Sequence, residues 1–378
     1  MSTLKYLKEY IRFLRNSKNI DIVFYSESES YYIYFKSIIS TLVENYSINI
    51  CYVTSSNKDP LLTNTNKKFS VYNIGSKTIR TIFFATLDVK VVVMTMPDLH
   101  NYHIKRSNNS VHYVYLPHSL LSTHMVYRKG AFDFYDSFFC VGFHHLKELR
   151  ASEKLYESKC KKLFKIGYPR LDDLISSNPI NKRPYSTLKQ IIITPSWYSP
   201  GIIETCCDEL IQNLLSIDFK VVLRPHRDSK KLFPDKLNYI YEKFKEYKNF
   251  KLVYDDINNI ELKKSAILIT DWSGAAMSFA FGLCRPVISI DLPKKINNID
   301  FDKYDIGPFE TEIRSEIGSI VNPKNINRIC EVIDNLMDNS DKISKKLELL
   351  RREKIFNLGK SAEIGAKYLS KLVNKSLI

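Results

Sequence analysis

Short apolar runs alternate along this chain with segments of helical length. Residues 20–25 (IDIVFY) read as a buried strand, residues 26–30 (SESES) as a polar turn and residues 31–44 as a helix. Apolar runs recur at 48–53, 69–72, 91–94, 111–116 and 138–141, each short enough for a strand buried on both faces. Residues 176–187 (SSNPINKRPYST) interrupt the pattern with two prolines, turn residues and no apolar period, as a linker does. The alternation then restarts, with strands at 190–194, 220–223, 250–254, 266–269 and 287–290 and helices at 204–216 and 275–283. From 325 to 375 the chain reads as helical and basic, and is expected to pack back across both halves.

Strands separated by helix-length segments predict parallel sheets with helices on both faces. Two such halves, a linker and a closing helix describe an α/β chain of GT-B architecture. It is expected to comprise an N-terminal Rossmann-like domain (1–178), a C-terminal Rossmann-like domain (188–350) and a C-terminal helix (351–378). Its active site is expected in the cleft between the two domains.

Residues 4–15 (LKYLKEYIRFLR) carry a different pattern. At about 100° per residue Leu4, Leu7, Ile11 and Leu14 share a face, with Tyr6, Tyr10 and Phe13 beside them. Lys5, Lys8, Arg12 and Arg15 gather on another side. Such a helix fits an anionic membrane interface. The same stripe equally suits a first helix packed on its own domain.

Composition narrows the classes. With 378 residues, 44% hydrophobic content and 11 glycines, this is an ordinary globular chain long enough for two domains. No run approaches the roughly 18–20 apolar residues of a membrane span, and no signal-peptide pattern is visible. The 7 cysteines are scattered without a CxxC, so neither zinc nor a disulfide framework is indicated and a reduced, cytoplasmic setting is expected. No metal and no cofactor is expected. Lys and Arg (56) exceed Asp and Glu (41) by 15, which points to an anionic membrane surface, a polyanionic substrate or nucleic acid. No RRM, KH or zinc-finger pattern supports nucleic acid, so none is expected as a partner. A basic nucleic-acid-binding protein remains the alternative of another class.

Candidate chemistry sits at strand ends, where open α/β sheets bind ligands. His118 follows the strand at 111–116, placed to act as a base near neutral pH, and Ser119, Ser122, His124, Arg128 and Lys129 follow. Arg224-Pro225-His226 ends another strand, and a guanidinium there suits a diphosphate. Thr270-Asp271-Trp272-Ser273-Gly274 stands before the helix at 275–283. Ser273 and the free amides of that helix start suit a phosphate, although Asp271 and Ser273 would equally serve as plain caps. The pairs Asp172-Asp173 and Asp255-Asp256 are weak metal candidates.

Taken in order, PHS at 117–119, GYPRLDDL at 167–174, TPSW at 194–197, RPH at 224–226 and TDWSGAAMSFA at 270–280 resemble the CDP-glycerol glycerophosphotransferase family. Its members build teichoic acids and related surface polymers, and its usual forms are close to HG, GYPRND, APTW, RPHP and TDYSS. The resemblance covers residues 110–295 and implies a GT-B transferase in which His118 and His226 are needed for transfer. It implies that Arg224, Ser196, Asp271, Trp272, Ser273 and Gly274 serve a CDP-activated donor such as CDP-glycerol. Ser119, Arg128 and Lys129 are then assigned to a polymer or lipid-linked acceptor, with the enzyme peripheral at the inner face of the cell membrane. A nucleotide-sugar glycosyltransferase on the same fold is the alternative among enzymes. Three departures stand out: Ser119 where the family has glycine, Arg227 where it has proline, and Gly274 where it has a second serine. They imply a donor or acceptor unlike that of the best-known members.

Overall fold

The computed structural model describes residues 2–63, 68–102, 104–178, 184–254 and 259–375. The first half builds one sheet from β1 (Ile22–Ser26), β2 (Ile50–Thr54), β3 (Ser70–Asn73), β4 (Val91–Met94), β5 (His112–Tyr115), β6 (Ser137–Cys140) and β7 (Lys162–Lys165). Its spatial order is β3-β2-β1-β4-β5-β6-β7. The second half builds another from β8 (Gln190–Ile193), β9 (Lys220–Leu223), β10 (Phe250–Leu252), β11 (Ile267–Thr270), β12 (Val287–Ile290) and β13 (Gly318–Val321), in the order β10-β9-β8-β11-β12-β13. The strand pairings in both sheets are parallel. Each order reverses beside its first strand, so each half has a switch point, at β1/β4 and at β8/β11, where the crevice for a ligand opens.

The apolar runs become the central strands because helices cover both faces. On the first sheet, Val23, Tyr25, Phe83 and Phe84 pack on one side, and Phe24, Phe35, Ile38 and Leu42 on the other. The edge strands β7 and β13 were not expected. KLFK and GSIV are half-exposed and lack a long apolar run, so their pairing is set by the sheet beside them. The helix expected over 204–216 is broken at Cys206 into Ile202–Thr205 and Cys207–Leu215.

The chain does return to its first half. Phe356 N donates to Val141 O (2.9 Å), and the Asp172 carboxylate accepts from Gly359 N (2.8 Å) and Ser361 N (2.9 Å). Gly167, at φ +91°, permits this, since a Cβ there would lie 2.2 Å from Phe356 O. Helix Ser361–Val373 then buries Ala366, Leu369 and Val373 against helix Tyr32–Asn45. Asp173 accepts from Ser37 Oγ (2.6 Å), so both acids of the 172–173 pair are structural staples rather than metal ligands. Asp255, Asp256 and linker residues 179–183 lie outside the described residues.

An apolar seam locks the halves together. Leu120, Val141, Tyr168, Leu171 and Leu174 meet Met277, Phe279, Ala280 and Phe281 of helix Ala275–Leu283. That helix is apolar all round because it faces its own sheet on one side and helix Pro169–Ser176 on the other.

The N-terminal helix Ser2–Asn16 packs one face on the first half of the chain and leaves another exposed. Tyr10 and Phe13 are buried against the first domain, while Leu4 (63%), Leu7 (38%), Ile11 (40%) and Leu14 (42%) stay exposed. Among the described residues no helix is long and apolar enough to cross a membrane.

Candidate active site between the two sheets

His118 leaves the carboxyl end of β5 and is ringed by Tyr31, Tyr34 and Tyr127, with ring centroids 5.7, 6.0 and 6.1 Å away. Its Nδ1 lies 3.1 Å from Thr95 O. A backbone carbonyl only accepts, so Nδ1 carries the proton and Nε2 keeps its lone pair. Burial, with Arg227 and Lys295 nearby, pushes the imidazole down to about 4. At neutral pH it is an uncharged ring with a free acceptor nitrogen.

His226 leaves the carboxyl end of β9 in the opposite tautomer. Its Nδ1 accepts from Asp228 N (3.2 Å), and a backbone amide only donates, so the proton sits on Nε2. Partial burial, with Lys295, Arg227 and Arg224 adding and Asp228 opposing, lowers this ring too, although its side chain is 41% exposed. Trp197, beyond the end of β8, stands 6.4 Å from the His226 ring.

Lys295, in the loop after β12, ties these parts together. Its charge bears on both histidines, which come from opposite halves of the chain. Its Nζ lies 4.1 Å from the Trp197 ring centroid, and among the described residues it makes no ion pair. Burial pulls its ammonium down to about 8, with Asp271, Asp228 and Glu310 holding it up. A half-buried cation of this kind has the charge a phosphate needs.

The Asp271 carboxylate accepts from Ser196 N (2.9 Å), Trp272 N (2.7 Å) and Ile202 N (3.2 Å). It therefore fixes the loop after β8 against the end of β11 and acts on the cleft through that loop. Ser273 Oγ accepts from Ala275 N (3.3 Å), the capping contact weighed from sequence. Gly274 brings the helix start close to the first domain, where an added Cβ would lie 3.6 Å from Ser119 Cβ.

Three further contacts hold the halves in register. Arg227 donates to Ser30 Oγ (2.8 Å) and Ser28 Oγ (3.2 Å) in the turn after β1. Buried Glu310 accepts from Ser122 N (2.9 Å) and Ser122 Oγ (2.8 Å), and Asn298 Nδ2 donates to His124 O (2.9 Å).

No protein-family model matches this sequence, and no curated relative is found from sequence. Its fold does have relatives. The wall teichoic acid polymerase TagF, as a histidine-to-asparagine variant soaked with CDPG, matches with a TM-score of 0.58 at 16% identity over 100% of both chains. UDP-GlcNAc 2-epimerase from Methanocaldococcus jannaschii, in complex with UDP-GlcNAc and UDP, matches at 0.52 and 14% identity, covering 93% of this chain and 99% of that one. A glycosyltransferase from Rickettsia africae matches at 0.56 and 12% identity, covering 94% and 99%. The fold is GT-B.

Within this GT-B frame the sequence-derived candidates separate. His118, Ser119, His226, Ser273 and Gly274 come to the facing carboxyl edges, and Arg224 adds its field there. Ser196 is buried with its amide on Asp271. Trp272 is turned into the second domain, its Nε1 donating to Leu292 O (2.8 Å) and its ring covered by Arg314 at 4.0 Å. Arg128 and Lys129 are exposed, on Tyr102 and Tyr156 (Lys129 Nζ 4.0 Å from the latter centroid). Ser122 and His124 are struts between domains. Lys295, Trp197 and Glu27 were missed: of TPSW only Ser196 was a candidate, and nothing local sets Lys295 apart from Lys294.

Proposed function

We propose that this protein transfers an alditol phosphate, glycerol phosphate in the first instance, from a CDP-activated donor to a hydroxyl of a surface-polymer or lipid-linked acceptor. One observation carries the reading: two neutral histidines of opposite tautomer flank a cleft that holds Lys295, which makes no ion pair among the described residues. The motif resemblance and the GT-B match with TagF support it.

In this reading the acceptor hydroxyl attacks the phosphorus bonded to the alditol and CMP leaves. His118 Nε2 takes the hydroxyl proton, the task its free lone pair suits. His226 Nε2–H donates to a diphosphate oxygen, and Arg224, Lys295 and the amides at the start of helix Ala275–Leu283 offset the charge. Asp271 positions the donor loop. Trp197 offers a flat face beside the donor. The exposed Leu4–Leu14 stripe, with Lys5, Lys8, Arg12 and Arg15 next to it, would hold the enzyme on an anionic membrane where a lipid-linked acceptor resides.

The test is release of CMP from CDP-glycerol with a glycerol-phosphate-terminated lipid, against a panel of nucleotide sugars. Turnover of a UDP-sugar and none of CDP-glycerol would replace this reading with the glycosyltransferase one, which the UDP-bound GT-B neighbour supports.

A further inference from the structure

The carboxyl edge of the first sheet holds three buried polar atoms without a hydrogen-bond partner among the described residues: Glu27 Oε2, Arg80 Nε and Thr95 Oγ1. Glu27 follows the end of β1 and Thr95 the end of β4, the two strands that pair at the switch point. Arg80 reaches in from helix Thr78–Thr86. The groups lie close enough to act on one another, because Arg80, Arg227 and Thr95 each oppose the burial that pushes the Glu27 carboxyl up to about 7. They also share neighbours with His118. Thr95 O receives the His118 proton, and Tyr31, whose hydroxyl feels the Glu27 charge, flanks the His118 ring at 5.7 Å.

Buried polar atoms are almost always paired, and leaving one unpaired destabilises the fold. Beside the candidate base, one an acceptor, one a donor and one either, the three offer hydrogen bonds that a ligand could take up. Its chemistry selects the ligand. The carboxylate repels a phosphate, and the guanidinium repels an amine. A neutral hydroxyl satisfies both, donating to Glu27 Oε2 and accepting from Arg80 Nε–H or Thr95 Oγ–H.

We propose that Glu27, Arg80 and Thr95 form a polyol pocket that binds the acceptor hydroxyl next to the attacking one. The acceptor terminus is then a vicinal diol, and the pocket sets which of its two hydroxyls meets His118. This rests on the acceptor reading given above and deepens it. A site built around a hydroxyl discriminates against an analogue that lacks it, because the groups lining it are left unpaired.

The probes are glycerol 3-phosphate and 3-hydroxypropyl phosphate, which lacks the middle hydroxyl, each titrated into the full-length protein by ligand-observed NMR without donor. Wild type is expected to prefer the diol by roughly tenfold or more. Glu27→Gln and Thr95→Val, both checked for folding by circular dichroism, should each bring the ratio toward one. A general structural defect would weaken both probes alike and leave the ratio unchanged. A wild-type ratio near one, or a ratio kept in both variants, overturns the pocket and leaves these atoms to bound water. If CDP-glycerol fails as a donor while the ratio holds, the donor reading falls and the pocket stands.

Discussion

His118 and His226 hold their Nδ1 atoms in opposite roles: the first donates to Thr95 O at 3.1 Å, the second accepts from Asp228 N at 3.2 Å. Backbone partners cannot exchange donor for acceptor, so the two Nε2 atoms are fixed as an acceptor on one side of the cleft and a donor on the other. The roles predict separable losses. His118→Ala should cut turnover by about 10²–10⁴-fold with donor affinity nearly intact, as removal of a general base does. His226→Ala should weaken donor binding as well as turnover. Calorimetric donor binding beside steady-state kinetics checks both, and loss of donor binding in His118→Ala alone would reverse the assignment.

Acid behaviour follows from the burial of His118. Its ring is depressed from 6.5 to about 4 in the folded protein. Between about pH 6.5 and 4 the unfolded chain takes up protons that the folded chain refuses, so stability present above 6.5 is lost as pH falls through that window. The rate should stay flat from pH 7 toward 5 and fall only near 4. A kcat/KM profile paired with urea unfolding at each pH measures this. An acid limb centred at 6.5 would mean that the His118 ring is open to water.

Lys295 gives the alkaline side. Its ammonium is lowered from 10.5 to about 8, so the free protein loses this charge as pH rises through 8. A bound diphosphate favours the charged form, and donor binding must then take up a proton above that pH. Donor affinity should fall by up to about tenfold per pH unit above 8. Lys295→Arg should keep it flat to pH 9.5, because guanidinium stays charged. Isothermal titration at pH 7, 8 and 9 decides the matter, and a flat wild-type profile would remove Lys295 from the donor site.

Much of the fold was legible because buried parallel strands declare themselves as apolar runs. The helix over 275–283 and the strands at 91–94, 220–223 and 287–290 sit where the pattern put them. His118 and His226 were legible for a local reason, each closing such a run. Lys295 was not, since its burial arises only where the loop after β12 meets residues of both halves. Glu27 reads as one acid of a polar SESES turn until Arg80 and Arg227 close around it. Asp271 was read as a cap because its amide partners Ser196 and Ile202 lie on a loop distant in sequence.

The N-terminal helix separates packing from exposure on adjoining faces, and the two faces should respond to mutation in opposite ways. Phe13 is 1% exposed and sits edge-on against Phe83 at 4.8 Å, so Phe13→Ala should cost about 3–5 kcal/mol of stability. Leu7 and Ile11 face outward, and Leu7→Asp/Ile11→Asp should leave stability within roughly 1 kcal/mol. That double variant should nonetheless lose flotation with phosphatidylglycerol vesicles, because an apolar stripe beside Lys5, Lys8, Arg12 and Arg15 needs both burial and charge to hold an anionic surface. Wild-type binding should weaken with added salt, as the charge contribution is screened. Retained flotation in the double variant would detach this helix from the membrane reading. A shift from dimer to monomer on gel filtration would instead assign the stripe to a second copy of the chain.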